Sequence, residues 1–107
     1  VNLVTAKFED MDMNTLRETA DTLRDKLGSG VVVMANIADN KVNFIVTATK
    51  DVLEKGIHSG NIVREVAQIA GGKGGGRPNM AQAGANDVTK VEEALNYAGE
   101  VIKSQVK

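Results

Sequence analysis

The sequence predicts one α/β domain of the α+β kind: a small mixed β-sheet packed with about three helices, in the order β-α-β-β-α-(short β)-α. Three observations predict it. Val4, Ala6 and Phe8, and later Val42, Phe44, Val46 and Ala48, recur at a period of two, the mark of strands with a buried face. Met13, Leu16, Ala20, Leu23 and Leu27, and later Val88, Val91, Leu95, Ala98 and Ile102, recur at helical spacing. The 107 residues are enough for one core and too few for two ordinary ones.

The elements follow in order. The first strand runs through residues 2–8 and ends at Glu9-Asp10. Asp12 or Asn14 caps the first helix, Arg24 and Lys26 suit the negative end of its dipole, and Gly28 supplies the exit. Residues 31–35 are a continuous β-branched run, expected to be buried on both faces. The polar turn over residues 38–41 leads into the strand through Val42 and Ala48, making a hairpin. The crossover through the helix makes the first two strands parallel, and the hairpin makes the third antiparallel. Residues 50–60 read as a connector with one helical turn. Ser59 or Asn61 caps a second helix carrying Ile62, Val63, Val66, Ala67, Ile69 and Ala70, and Gly71 stops it. A glycine loop runs on to Pro78, and residues 80–83 add a short extended segment. Asp87 or Thr89 caps the last helix, with Thr89 and Glu92 at capping-box spacing. Gly99 sits inside that helix at a cost of about 1 kcal/mol relative to alanine.

Bulk composition excludes several function classes. A net charge of -1 means that any affinity for nucleic acid comes from a local patch. The chain has no cysteine, hence no disulfide framework and no thiolate metal site, which is compatible with a reducing cytoplasm. No apolar run reaches membrane-span length, so no membrane partner is expected. The single histidine, His58, leaves no zinc ligand set and no workable Ser-His-Asp arrangement, and it reads as a connector side chain. No catalytic and no metal-binding residue is expected. The chain opens in a strand without a starting methionine, and we read residues 1–107 as a single domain cut from a longer protein.

One stretch stands apart. Five of the 11 glycines fall between Gly71 and Gly76, and the only proline, Pro78, follows. Clustered glycine is entropically costly and suits a backbone that must come close to something else. From Val66 to Asn86 there is no carboxylate, yet Lys73 and Arg77 lie there. An amide-rich cationic segment suits phosphate. It is not a P-loop: Arg77-Pro78 replaces the Lys-Ser/Thr pair, and the segment follows a helix instead of opening one. With aromatics at 3%, a base-stacking reader of single strands is disfavoured. The expected contacts are Lys73 and Arg77 to phosphates, and the amides of Gly72, Gly74, Gly75 and Gly76 to the sugar-phosphate backbone. Asn79 and Gln82 would donate to ribose or base edges, and Lys50 and Lys55 would extend the patch. The bland alternative packs this segment against the sheet, with Met80 filling the core and Arg77 pairing with a carboxylate to brace its own fold.

The run Gly71-Gly72-Lys73-Gly74-Gly75-Gly76-Arg77-Pro78-Asn79-Met80-Ala81-Gln82-Ala83-Gly84 resembles the signature of the C-terminal globular domain of alanyl-tRNA synthetase. That domain belongs to the wider family of DHH-phosphoesterase-associated domains. The likeness continues through Lys50-Asp51 and residues 55–58, 62–65 and 23–27, and departs at Ala85, where the family shows a second glycine. The resemblance implies a non-catalytic tRNA-binding module that touches the outer corner of tRNA and couples aminoacylation to editing. It implies a cytoplasmic alanine–tRNA ligase as parent, with ATP, magnesium and zinc held by other domains, and alanine-specific tRNA as partner. Two alternatives share the motif: the substrate-binding half of a DHH-type phosphoesterase or exonuclease, and the tail of a free-standing editing protein.

Overall fold

The apolar strands of the first half of the chain nucleate a five-stranded mixed sheet in this structure, a computed structural model that describes residues 1–106. Lys107, the last residue of the expected domain, lies outside the described residues. The strands are β1 (Leu3–Glu9), β2 (Val31–Ala38), β3 (Lys41–Ala48), β4 (Lys73–Gly76) and β5 (Met80–Ala85), in the spatial order β1-β2-β3-β5-β4. Only the β1–β2 pairing is parallel, because a helix connects them. That helix is α1 (Met13–Leu27), and three more follow: a one-turn α2 (Lys50–Leu53), α3 (Ser59–Ile69) and α4 (Val91–Gln105).

The central strands β2 and β3 are buried on both faces, giving three layers. On one face Val32, Met34 and Ile45 meet Leu16 and Ala20 of α1, with Val4, Ala6 and Phe8 of β1 packed alongside. On the other, Val31, Val33, Phe44, Val46, Ala81 and Ala83 meet the apolar sides of α3 and α4. Residues 31–36 of β2 are therefore buried without interruption, as the β-branched run predicts. Asn36 is the polar member of that run. It is 1% exposed, and both ends of its amide are satisfied by Met11, whose N–H donates to Oδ1 at 3.1 Å and whose carbonyl accepts at 2.7 Å.

The caps are local chemistry. Asp12 accepts from the Thr15 amide at 2.8 Å, which with the Thr15 hydroxyl holds the Asp12 carboxyl below its usual range. The Gly28 amide closes α1 onto the Arg24 carbonyl at 3.1 Å. The β2–β3 turn is tighter than the four-residue turn expected. Asp39 and Asn40 alone make it, both at positive φ (53° and 60°), the backbone of a two-residue hairpin.

Four expectations are corrected. The cap of α3 is neither Ser59 nor Asn61 but His58, whose Nδ1 accepts from the Asn61 amide at 3.2 Å. Its backbone is also clasped by the Gln105 side chain, so His58 is not a passive connector. Thr89 and Glu92 make no capping box. Asp87 accepts from the Thr89 amide, and a 3-10 turn over Val88–Lys90 leads into α4. The extended segment after Pro78 is a full strand reaching Ala85. Finally, the glycine stretch is a strand and not a loop: β4 pairs antiparallel with β5 over Lys73↔Gly84, Gly74↔Ala83, Gly75↔Gln82 and Gly76↔Ala81.

Close approach of backbones explains this last correction. Gly71, at φ 75°, turns the chain back at the end of α3 so that β4 returns along the helix. A methyl group at Gly74 would stand 2.2 Å from the Ala83 Cβ, and one at Gly76 would stand 2.8 Å from the Ala81 Cβ. At Gly60, in the first turn of α3, it would stand 2.4 Å from the Gly76 carbonyl oxygen. Gly75 alternates to the opposite face, where an added methyl would meet nothing within 4 Å. Gly74→Ala should therefore cost about 1–3 kcal/mol, the range for overpacking a filled site. Gly75→Ala should be neutral or slightly stabilising, since its φ is not positive and alanine restricts the unfolded chain. Denaturant midpoints of the two variants check this; equal losses would remove the packing account.

Candidate functional site

The strand β4 is the rim of the sheet, and all four of its residues are exposed. An outermost strand directs alternate N–H and C=O groups away from its neighbour. Apart from its ladder to β5, no amide from Lys73 to Arg77 donates to another backbone group among the described residues. The Gly72 amide, by contrast, is spent on the Ala67 carbonyl at 2.8 Å and is not available to a ligand.

Alternation assigns two faces to this rim. Gly74 and Gly76 point with Ala81 and Ala83 toward α3. Lys73 and Gly75 point with Gln82 and Gly84 to the α1 side. There α1 lies over β2 and β3, so β5 and β4 extend past it as open sheet. A shallow hollow on this ground is lined by Gly75, Gly76, Arg77, Asn79, Met80 and Gln82, with no carboxylate. Arg77 lines this hollow, and Lys73 stands at the start of the same strand, four residues or about 13 Å away along an extended chain.

The turn that carries Arg77 is pinned on both sides. The Pro78 carbonyl accepts from the Ser59 amide at 2.8 Å, and the Asn79 carbonyl accepts from the Ala48 amide at 3.1 Å and the Thr47 hydroxyl at 3.2 Å. The backbone of Arg77 is thus fixed while its side chain stays in solvent. Neither Lys73 nor Arg77 forms an ion pair among the described residues, and the same holds for Lys50 and Lys55.

A second hollow shares Asn79 with the first and is lined by Arg24, Asp25, Thr49, Lys50 and Leu53. Lys50 is therefore brought beside the glycine rim. Lys55, on the turn after α2, lines neither hollow. The corner of Thr49 and Asp51 that presents Lys50 is held by side chains: the Ser29 and Thr49 hydroxyls both donate to the Asp51 carboxylate, and the Gly30 amide donates to Thr49 Oγ1 at 3.0 Å. The two hydroxyls, Ser29 first, hold the Asp51 carboxyl below its ordinary range.

Sequence reasoning missed the arginines of α1. Arg24, half-buried, donates to Thr47 at 3.2 Å and pairs with Asp21 and Asp25 at 3.4 and 3.6 Å. Arg17, two turns earlier on the same flank, reaches Gln82. With its amide oxygen toward α1, Gln82 accepts from Arg17 Nε at 2.7 Å and Nη2 at 3.3 Å. The seven-residue spacing of the two arginines is visible in the sequence, but nothing there says which flank of α1 faces β5. Met80, expected in the core, is half-buried and lines the first hollow. Among the described residues no three His, Cys, Asp or Glu side chains are grouped to hold a metal ion. Among them, too, no helix is long and apolar enough to cross a membrane.

Comparison with known proteins gives consistent relatives. The model of the family described as the DHHA1 domain matches residues 1–104. A region of the alanine–tRNA ligase of Clostridioides difficile (strain 630) is 82% identical over 107 residues, covering 100% of this chain and 12% of that protein. The alanine–tRNA ligase of Acetivibrio thermocellus is 58% identical over 106 residues, again with 12% of its length covered. The chain thus spans about an eighth of the length of these relatives. The crystal structure of the C-Ala domain from Aquifex aeolicus alanyl-tRNA synthetase superposes with a TM-score of 0.85 at 32% identity, covering 94% of this chain and 89% of that one. A DHH domain described as belonging to a family of ribosomal proteins shares the fold, with a TM-score of 0.55 at 16% identity over 82% of this chain and 20% of that one.

The Asp51 geometry sets an acid dependence. A carboxyl whose folded pKa is depressed adds stability above its unfolded value, near 3.9, and loses it as pH falls through the folded value. The melting temperature should fall between about pH 5 and pH 2. Asp51→Asn should start lower at neutral pH and fall less over that window. Parallel melting curves for the two proteins would show that Asp51 contributes nothing through its charge.

Proposed function

The chain belongs to the DHHA1 domain family, and from that premise we propose that it is the tRNA-binding part of an alanine–tRNA ligase, without catalytic groups of its own. The observation that carries this is the rim itself. The exposed backbone of Gly74, Gly75 and Gly76 is bracketed by Lys73 and Arg77, cations unpaired among the described residues, on ground free of carboxylates. Bare strand admits a sugar-phosphate ridge at van der Waals distance, and the bracketing cations neutralise phosphates on either side of it. Asn79, exposed, and the free amide end of Gln82 would donate to ribose or base edges, and Lys50 would take a phosphate beside Asn79.

The partner is alanine-specific tRNA, touched at its outer corner, so that aminoacylation and editing act on one bound molecule. Other domains of a cytoplasmic parent would hold ATP, magnesium and zinc. The relatives named alanine–tRNA ligase, at 82% and 58% identity, support this parent over a DHH-type phosphoesterase, for which the 16% likeness speaks to fold alone.

The test is a titration of the 107-residue chain with an alanine-accepting tRNA transcript across a salt series. Wild type should bind with a log-log salt slope of about -0.7 to -0.9 per neutralised phosphate. Lys73→Ala should flatten that slope by one such increment and leave the melting temperature unchanged. Gly75→Val, which has room in the fold, should abolish binding by holding the ridge off the strand. Unchanged binding by both variants, or none by wild type at low salt, would overturn the proposal.

A further inference from the structure

We propose that Arg17 on α1 is a further phosphate ligand of this surface, set in place by Gln82. The inference rests on the RNA reading above and names a residue that the glycine signature does not contain. Gln82 is the register partner of Gly75, the one glycine of β4 with open space in front of it. Arg17 donates to Gln82 through Nε and one terminal nitrogen, so its guanidinium lies at the border of that space. A backbone resting on Gly75 meets Lys73 and Arg77 along the strand and Arg17 from the side.

Two arginines on one flank of α1 show why Arg17 is suited to the task. Arg24 is compensated by Asp21 and Asp25 and donates to Thr47, so its charge is spent inside the protein. Asp21, one turn on from Arg17, is occupied by Arg24 at 3.4 Å. Arg17 makes no ion pair among the described residues, and its partner Gln82 is neutral. A neutral acceptor orients a guanidinium without cancelling its charge. The remaining N–H groups of the fork keep the geometry that matches phosphate. Gln82 is accordingly a positioning residue as well as a lining one.

The experiment is the same salt-series titration, with Arg17→Met, Arg17→Lys, Gln82→Leu and the double variant Arg17→Met/Gln82→Leu. Methionine keeps the apolar stem over the sheet and removes the charge. Arg17→Met should bind about tenfold more weakly at low salt, with a slope flatter by about 0.7–0.9. Arg17→Lys should keep the slope but lose affinity, because an ammonium lacks the fork. Gln82→Leu should lose affinity at unchanged slope, and it should cost less in the Arg17→Met background than in wild type, because only its own contact to ribose or base then remains to be lost. Equal affinity and slope for Arg17→Met and wild type, with Lys73→Ala behaving as expected, would overturn the inference and leave the RNA reading standing. So would a matched loss at unchanged slope in Arg17→Met and Gln82→Leu, the signature of a purely structural tie. Wild type that fails to bind at low salt overturns both.

Discussion

The exposed rim depends on main chain touching main chain. Between α3, β4 and β5 there is room for no side chain larger than alanine's: Gly60 meets the Gly76 carbonyl, and Gly74 and Gly76 meet the methyls of Ala83 and Ala81. Those contacts clamp β4 from one face and leave the other bare. Glycine here fills the role that a larger residue fills in the rest of the core, where Phe44 and Leu16 close the space between layers. At Gly74 and Gly76 the entropic cost of clustered glycine is offset by an approach that no residue with a Cβ permits.

Most of the scaffold was legible because its signals are periodic. β1 to β3 and the three long helices follow from apolar spacing, and the parallel and antiparallel pairings follow from their connections. The strand β4 was not legible, and the reason is physical. A Lys-Gly-Gly-Gly run has no alternation and no β-branched residue, so its strand conformation comes entirely from what it packs against. The His58 cap was hidden for a related reason. Imidazole is an uncommon capping acceptor, and Ser59 and Asn61 stand close enough to draw the assignment onto themselves.

The surface was legible in part. The absence of carboxylates from Val66 to Asn86 marked the rim, and Arg77, Asn79 and Gln82 line one hollow there, while Lys73 stands at the start of the strand outside its lining. The structure brings Lys50 to its neighbour and leaves Lys55 aside, a distinction that the polar connector sequence conceals. Gly72 carried the same expectation as the other glycines, yet its amide closes the turn out of α3. Arg17 escaped because it comes from an element roughly sixty residues away in sequence, and only the sheet order brings it beside β5; Arg24 reaches Thr47 of β3 by the same helix.

The order β1-β2-β3-β5-β4 leaves the sheet ending on a short strand with outward N–H and C=O groups. Such an end is a template on which a second copy can polymerise. Glycine's poor strand propensity and the brevity of four residues make this template weak, and an antiparallel pairing of two copies centred on Gly75 would set Lys73 of each against Arg77 of the other, cation against cation. The two cations proposed to meet a polyanion thus also disfavour pairing of this end with a second copy. In a complex of the kind proposed, a polyanion that cancelled their charge would itself cover the same end.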